Sequence, residues 1–111
     1  MSTSHSLTVV TGLSGSGPAY VMRFVESMVA AGEKLGLSSS AALLLVTQTI
    51  HGSMVLLAQS PEGPAALRQK VTSPKGTTMA GLAALDRFAF DEAVEAAVSA
   101  AHARADELGE E

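Results

Sequence analysis

The stretch Ser38-Ser39-Ser40-Ala41-Ala42-Leu43-Leu44-Leu45-Val46-Thr47-Gln48-Thr49-Ile50-His51-Gly52-Ser53-Met54-Val55-Leu56-Leu57-Ala58-Gln59 decides the fold class. It sits inside a longer run, Leu35 to Pro61, that holds no Asp, Glu, Lys or Arg. The three serines can cap free N–H groups at a helix start. At the other end, Ser60-Pro61-Glu62-Gly63-Pro64 is a turn by composition. Leu43 to Val46 are consecutive, so a helix here presents apolar groups all round and must be covered on most sides. A membrane span needs about 20 mostly apolar residues. Thr47, Gln48, Thr49, His51, Gly52 and Ser53 interrupt the middle of this one. The reading is a buried or interface helix, with no membrane partner.

Outward from it, the periodicity stays helical. Toward the N-terminus, a helix opens at Ser16-Gly17-Pro18, where proline at the first helical position loses no needed N–H. Val21, Phe24, Val25, Met28 and Val29 form its apolar face, Leu35 follows, and Gly36 is its stop signal. The run Leu7–Val10 is the one strand-like segment. Toward the C-terminus, a short helix spans about Ala65 to Val71. Thr77 or Thr78 then caps a helix through Met79, Leu82 and Leu85, and Asp86-Arg87-Phe88 leads into a turn. The last helix has the clearest period, with Phe90, Ala93, Val94, Ala97, Val98, Ala101, Ala105 and Leu108 on one stripe. Asp91 and Glu92 suit its N-terminal dipole, and Gly109 ends it. The fold class is therefore all-α, about five helices, with residues 1–8 as an N-terminal tail and 9–111 as one helical domain.

Composition agrees. The chain has 111 residues, 47% hydrophobic and 16% charged, where ~25% charged is usual. Mean hydropathy is +0.29. A chain this small needs polar cover, so the shortage of charge points to apolar surface covered by a partner chain. The net charge of −4 gives no electrostatic reason to seek nucleic-acid phosphates. With no cysteine there is no disulfide framework, thiolate nucleophile or Cys-ligated metal. Met1 to Ser6 lacks the basic and apolar regions of a signal peptide, and the cytoplasm is the expected compartment.

Two small-residue loops could carry chemistry. Ser14-Gly15-Ser16-Gly17-Pro18 precedes a helix, whose free N–H groups can bind an anion. Its spacing is not the dinucleotide fingerprint, and no βαβ unit surrounds it. A helix-start turn packed tightly on a neighbour is the favoured reading. Val71-Thr72-Ser73-Pro74-Lys75-Gly76-Thr77-Thr78 offers four hydroxyls, a cation and a helix N-terminus, the groups that hold a small carboxylate or phosphate; a plain capped turn competes evenly. It is not a P-loop. Tyr20 reads as an anchor for the helix start and His51 as a hydrogen-bonded core or interface residue. His102 falls at the edge of an apolar stripe and His5 in the tail. Asp91, Glu92 and Glu95 read as a solvated face. Three scattered histidines make no metal site, and Arg68 and Lys70 are too few for a nucleic-acid patch.

Read together, the two loops, some 50 residues apart, resemble pyrroline-5-carboxylate reductase, and specifically its C-terminal dimerisation domain. The Gly32-x-x-x-Gly36-Leu37 stretch, Leu67-Arg68 and the Ala-rich last helix also fit, from about Val9 to Gly109. The resemblance implies NADPH- or NADH-dependent reduction of 1-pyrroline-5-carboxylate to L-proline in the complete enzyme, in proline biosynthesis. It implies an interlocked homodimer, with higher oligomers built on it. It also maps the substrate loop onto Ser73, Gly76, Thr77 and Thr78, with Thr78 as the catalytic position beside the ring nitrogen. Lys75 departs from the family's usual glycine, and either adds a carboxylate contact or crowds a position needing positive φ. Hydride chemistry belongs to the nicotinamide, and these residues show no dinucleotide site. The expectation is that the chain alone binds no cofactor and has no reductase activity. The alternatives are a non-catalytic helical oligomerisation or interaction module, and an unrelated small-anion-binding helical protein.

Overall fold

Ser38 stands in extended conformation, and its Oγ accepts the Ala41 N–H at 3.2 Å. That cap starts the 21-residue helix demanded by the charge-free stretch. In this computed structural model, residues 3–72, 74 and 76–110 are described. The elements are α1 (Thr3–Val10), a π-helical segment (Thr11–Gly15), α2 (Gly17–Lys34), α3 (Ser39–Gln59), α4 (Pro64–Lys70), α5 (Thr77–Arg87) and α6 (Phe90–Glu110). No strand occurs among the described residues. The chain divides into two compact units, Met1–Met22 with Leu85–Glu111, and Arg23–Ala84.

In the first unit, α1 and the π segment pack on α6. Gly12 makes the close approach possible. A Cβ there would stand 2.8 Å from the Val98 carbonyl oxygen and 2.9 Å from the His102 nitrogen, so only glycine lets backbone lie on backbone. The Tyr20 hydroxyl donates to the Gly12 carbonyl at 3.1 Å, with the Ala97 carbonyl at 3.4 Å as a second acceptor. The π geometry is carried by the Ser16 N–H, which reaches the Thr11 carbonyl at 2.8 Å. Three sequence expectations change here. Leu7–Val10 is helical rather than extended, the expected tail through residue 8 lies within α1 from Thr3 on, and the Ser14–Pro18 loop is mostly helix. His5 accordingly sits on a helix, with its ring edge-on to that of His102 at 4.9 Å. The last helix also runs through Gly109 to Glu110 rather than stopping there.

In the second unit, α2 ends as its glycine predicts. Gly36 has φ +109°. The Leu37 N–H bonds the Gly32 carbonyl and the Gly36 N–H the Glu33 carbonyl, each at 3.0 Å. This paired closure satisfies the orphan carbonyls of a helix end. Gly63, at φ +90°, turns the chain into Pro64 and α4. Among the described residues the buried hydrophobic side chains are Ala42 and Val46, both on α3. Much of the rest of α3 is bare: Leu43, Leu44, Leu45, Met54, Val55 and Leu56 are each 44–59% exposed. By length and composition alone, α3 could cross a membrane, with a mean hydropathy of 1.7 over its most apolar window.

Candidate functional site

Residues 71–76 link α4 to α5. The Thr72 hydroxyl donates to the Arg68 carbonyl at 2.6 Å, and the Val71 N–H to the Leu67 carbonyl at 3.2 Å. These bonds use the last carbonyls of α4 to hold the start of the loop. Lys70 reaches back to Glu62 at 3.2 Å, bracketing α4; both side chains are more than half exposed, so the pair adds little stability. On the far side, the Gly76 carbonyl accepts the Ala80 N–H at 3.3 Å. Thr77 and Thr78 thus lie inside the first turn of α5 rather than capping it, which corrects the sequence reading. The N–H groups of a first turn have no intrahelical acceptor and face outward as anion donors.

Thr78 lines a groove of about 350 Å³ formed within the second unit. Met54 and Leu57 of α3, Leu67 and Arg68 of α4, and Leu82 of α5 share it. A volume of ~300–1,000 Å³ with apolar walls and few polar groups is what small-ligand sites offer. Of the substrate-loop residues read from the sequence, Gly76, Thr77 and Thr78 fall together at this helix start. Ser73, and with it Lys75, lies outside the described residues. Arg68, weighed in the sequence only against a nucleic-acid patch and as part of the Leu67-Arg68 stretch, lines the groove as well.

The other sequence candidates stay apart. The glycine-rich segment at residues 12–17 spends its polar groups on its own turns: besides the Ser16 N–H, the Thr11 and Ser14 hydroxyls donate to the carbonyls of Leu7 and Val10. Gly12 packs tightly on α6, in keeping with the packed-turn reading, and Tyr20 is the expected anchor. His51 is exposed on α3 within this chain, not in a core. His102 Nε2 lies 3.5 Å from Asp106, while its buried Nδ1 has no partner among the described residues. No cluster of three metal-ligating side chains occurs among the described residues.

Residues 4–108 match the profile of the family described as pyrroline-5-carboxylate reductase dimerisation. The chain belongs to that family. It is 45% identical over 103 residues to a pyrroline-5-carboxylate reductase of Synechocystis, covering 93% of this chain and 39% of that protein. It is 43% identical to pyrroline-5-carboxylate reductase 2 of Bacillus subtilis, covering 95% and 38%. Among solved structures, the Plasmodium falciparum pyrroline carboxylate reductase, with NADP bound, superposes at a TM-score of 0.92 with 38% identity, over 95% of this chain and 40% of that one. The Coxiella burnetii pyrroline-5-carboxylate reductase gives 0.92 and 37%, over 97% and 40%. This dimerisation domain spans about two fifths of the length of the relatives it matches. Those relatives are named pyrroline-5-carboxylate reductases, and the matching family is described by its dimerisation.

Proposed function

We propose that residues 9–111 form an intertwined homodimer through α3 and supply the substrate loop of a cytoplasmic pyrroline-5-carboxylate reductase. The supporting observation is the bare apolar surface of α3, in a chain whose described buried hydrophobic side chains are Ala42 and Val46 alone. Burying a Leu or Met side chain contributes ~1.5–3 kcal/mol, and six large side chains on α3 stand about half uncovered. A second copy covers them, and rings of dimers are the next level of assembly.

The substrate of the complete enzyme is 1-pyrroline-5-carboxylate and its product L-proline. Gly76 and Thr77 present backbone N–H groups to the carboxylate, Ser73 adds a hydroxyl, and the Thr78 hydroxyl meets the ring nitrogen. The domain's contribution to rate is placement of the reacting ring. NADPH or NADH, when bound, supplies the hydride that reduces the imine. The π-helical glycine-rich segment, its polar groups already used, does not fit a dinucleotide pyrophosphate, so no step is assigned to it.

The test is solution mass by light scattering on gel filtration, across a dilution series. A species near twice 11.3 kDa that persists on dilution is expected. A well-folded monomer would overturn the dimer reading, because α3 would then be covered within one chain.

A further inference from the structure

We propose that α3 of one protomer crosses α3 of its partner antiparallel, with Gln48 hydrogen-bonded to the partner's His51, so that this polar pair sets the register of the interface and loosens it in acid. The assignment rests on the dimer reading above and concerns α3 alone. Ala42 and Val46 are buried, and Ile50 and Leu57 half-buried, on one side of the helix. Leu44, Gln48, His51 and Val55 follow one another at helical spacing, which puts them on one stripe along the opposite side. All four are exposed. This stripe, farthest from the chain's own buried residues, is where a second copy seats.

Two observations fix how it seats. The first is hydrogen bonding. Through the middle of α3 the Thr47 hydroxyl donates to the Leu43 carbonyl at 2.9 Å, Thr49 to Leu45 at 2.7 Å and Ser53 to Thr49 at 2.7 Å. The Gln48 and His51 side chains make no hydrogen bond among the described residues. Desolvating either of them against leucine leaves polar atoms unpaired, which is costly. An amide and a neutral imidazole each hold a donor and an acceptor, so they satisfy each other. A two-fold axis midway between them makes the pair twice, because in an isologous contact residue i meets j and j meets i. The second is Gly52. A Cβ there would meet nothing within 4 Å, so no contact inside the protomer calls for a residue that weakens the middle of a helix. The same two-fold sets Gly52 against the partner's Thr47, where the missing side chain admits a β-branched one, and Leu44 against the partner's Val55. A parallel pairing would face each residue with its own copy, Gly52 on Gly52 across an unfilled hollow.

No Asp, Glu, Lys or Arg faces the pair from either α3, since the stretch from Leu35 to Pro61 has none. The partner's stripe adds a second His51, and Arg68 lines the groove on the other side, beside Ser53 and Leu57. Burial disfavours the charged imidazole. The dimer therefore holds His51 neutral, while separated chains take up the proton as pH falls through the usual histidine range, ~6.5. Dimerisation weakens in acid and is complete above that range.

The chain has no cysteine, so introduced thiols report the register cleanly. Leu44→Cys and Val55→Cys are produced singly and by co-expression, oxidised, and read on a non-reducing gel. Along one helix the two positions stand about 16 Å apart, beyond the ~7 Å that a disulfide spans between Cα atoms. The co-expressed pair is expected to cross-link and neither single variant to do so. Cross-linking of Leu44→Cys with itself would show parallel helices and overturn the proposal, as would a stable dimer that cross-links in no combination. The dimer dissociation constant is then followed by light scattering from about pH 7.5 to 5.5. Wild type is expected to weaken about tenfold or more, and His51→Leu to stay flat. An acid response unchanged in His51→Leu overturns the pairing while the dimer reading stands. A wild-type chain that is monomeric at every concentration sinks the dimer reading and this assignment with it.

Discussion

Helices α3 and α6 each run 21 residues, yet the two are finished in different ways. α6 carries Asp91, Glu92, Glu95, Arg104, Asp106 and Glu107 along its polar side, and it meets α1 and the π segment within its own chain. α3 carries no charge, buries Ala42 and Val46, and leaves Leu43, Leu44, Leu45 and Leu56 bare. Length and helicity are equal; what differs is where the apolar surface goes. α6 meets its own unit through a glycine-mediated backbone contact, with Phe90, Val94 and Leu108 still 38–52% exposed. On the dimer reading proposed above, α3 is left for another subunit to complete.

The comparison breaks most sharply at α3. The double substitution Leu44→Glu with Leu56→Lys places charge on surface that assembly must desolvate, at a cost of several kcal/mol. The expected outcome is loss of the dimer peak and of a cooperative thermal transition. A dimer of unchanged mass would show that α3 is not at the interface. Next in size is Gly12→Ala on the α6 side. Its methyl would meet backbone at 2.8 and 2.9 Å, neither atom able to rotate away, so the segment must lift off α6. We expect a loss of about 1–3 kcal/mol in urea unfolding at fixed protein concentration, with the mass distribution unchanged.

Smaller effects sharpen the contrast. Ser38→Ala removes the cap of α3 and is expected to cost about 1 kcal/mol, read as a lower urea midpoint with unaltered slope. Glu107→Gln breaks the pair with Arg104, where both side chains are about three-fifths exposed. The expected change is under about 0.5 kcal/mol and vanishes in high salt. A larger response would mean that α6 leans on its polar face more than its geometry shows.

Much of this arrangement was legible in the sequence. Ser38, Gly36 and the apolar stripe of α6 are local signals, and each marks what it should. The missing charge between Leu35 and Pro61 marks a helix that needs cover on most sides, in a core or at an interface. What escaped was non-local. Leu7-Thr8-Val9-Val10 is rich in β-branched residues and reads as extended on propensity. It is helical because Gly12 seats the segment on Val98 and His102, some 90 residues away. The groove escaped for the same reason: Leu57, Arg68 and Leu82 come from three helices, and no spacing announces their meeting. Gly109 shows the converse error, since an isolated glycine costs a helix only ~1 kcal/mol and need not end it.

The bare face of α3 also has a kinetic consequence. If that surface is covered only by a second copy, the last stage of folding is a bimolecular encounter. Its rate then scales with protein concentration, and the midpoint of thermal unfolding rises as the protein is concentrated. A newly made chain waits, at low abundance, with a row of uncovered leucines. That interval is when it is most exposed to chaperones, to proteases and to the wrong neighbour.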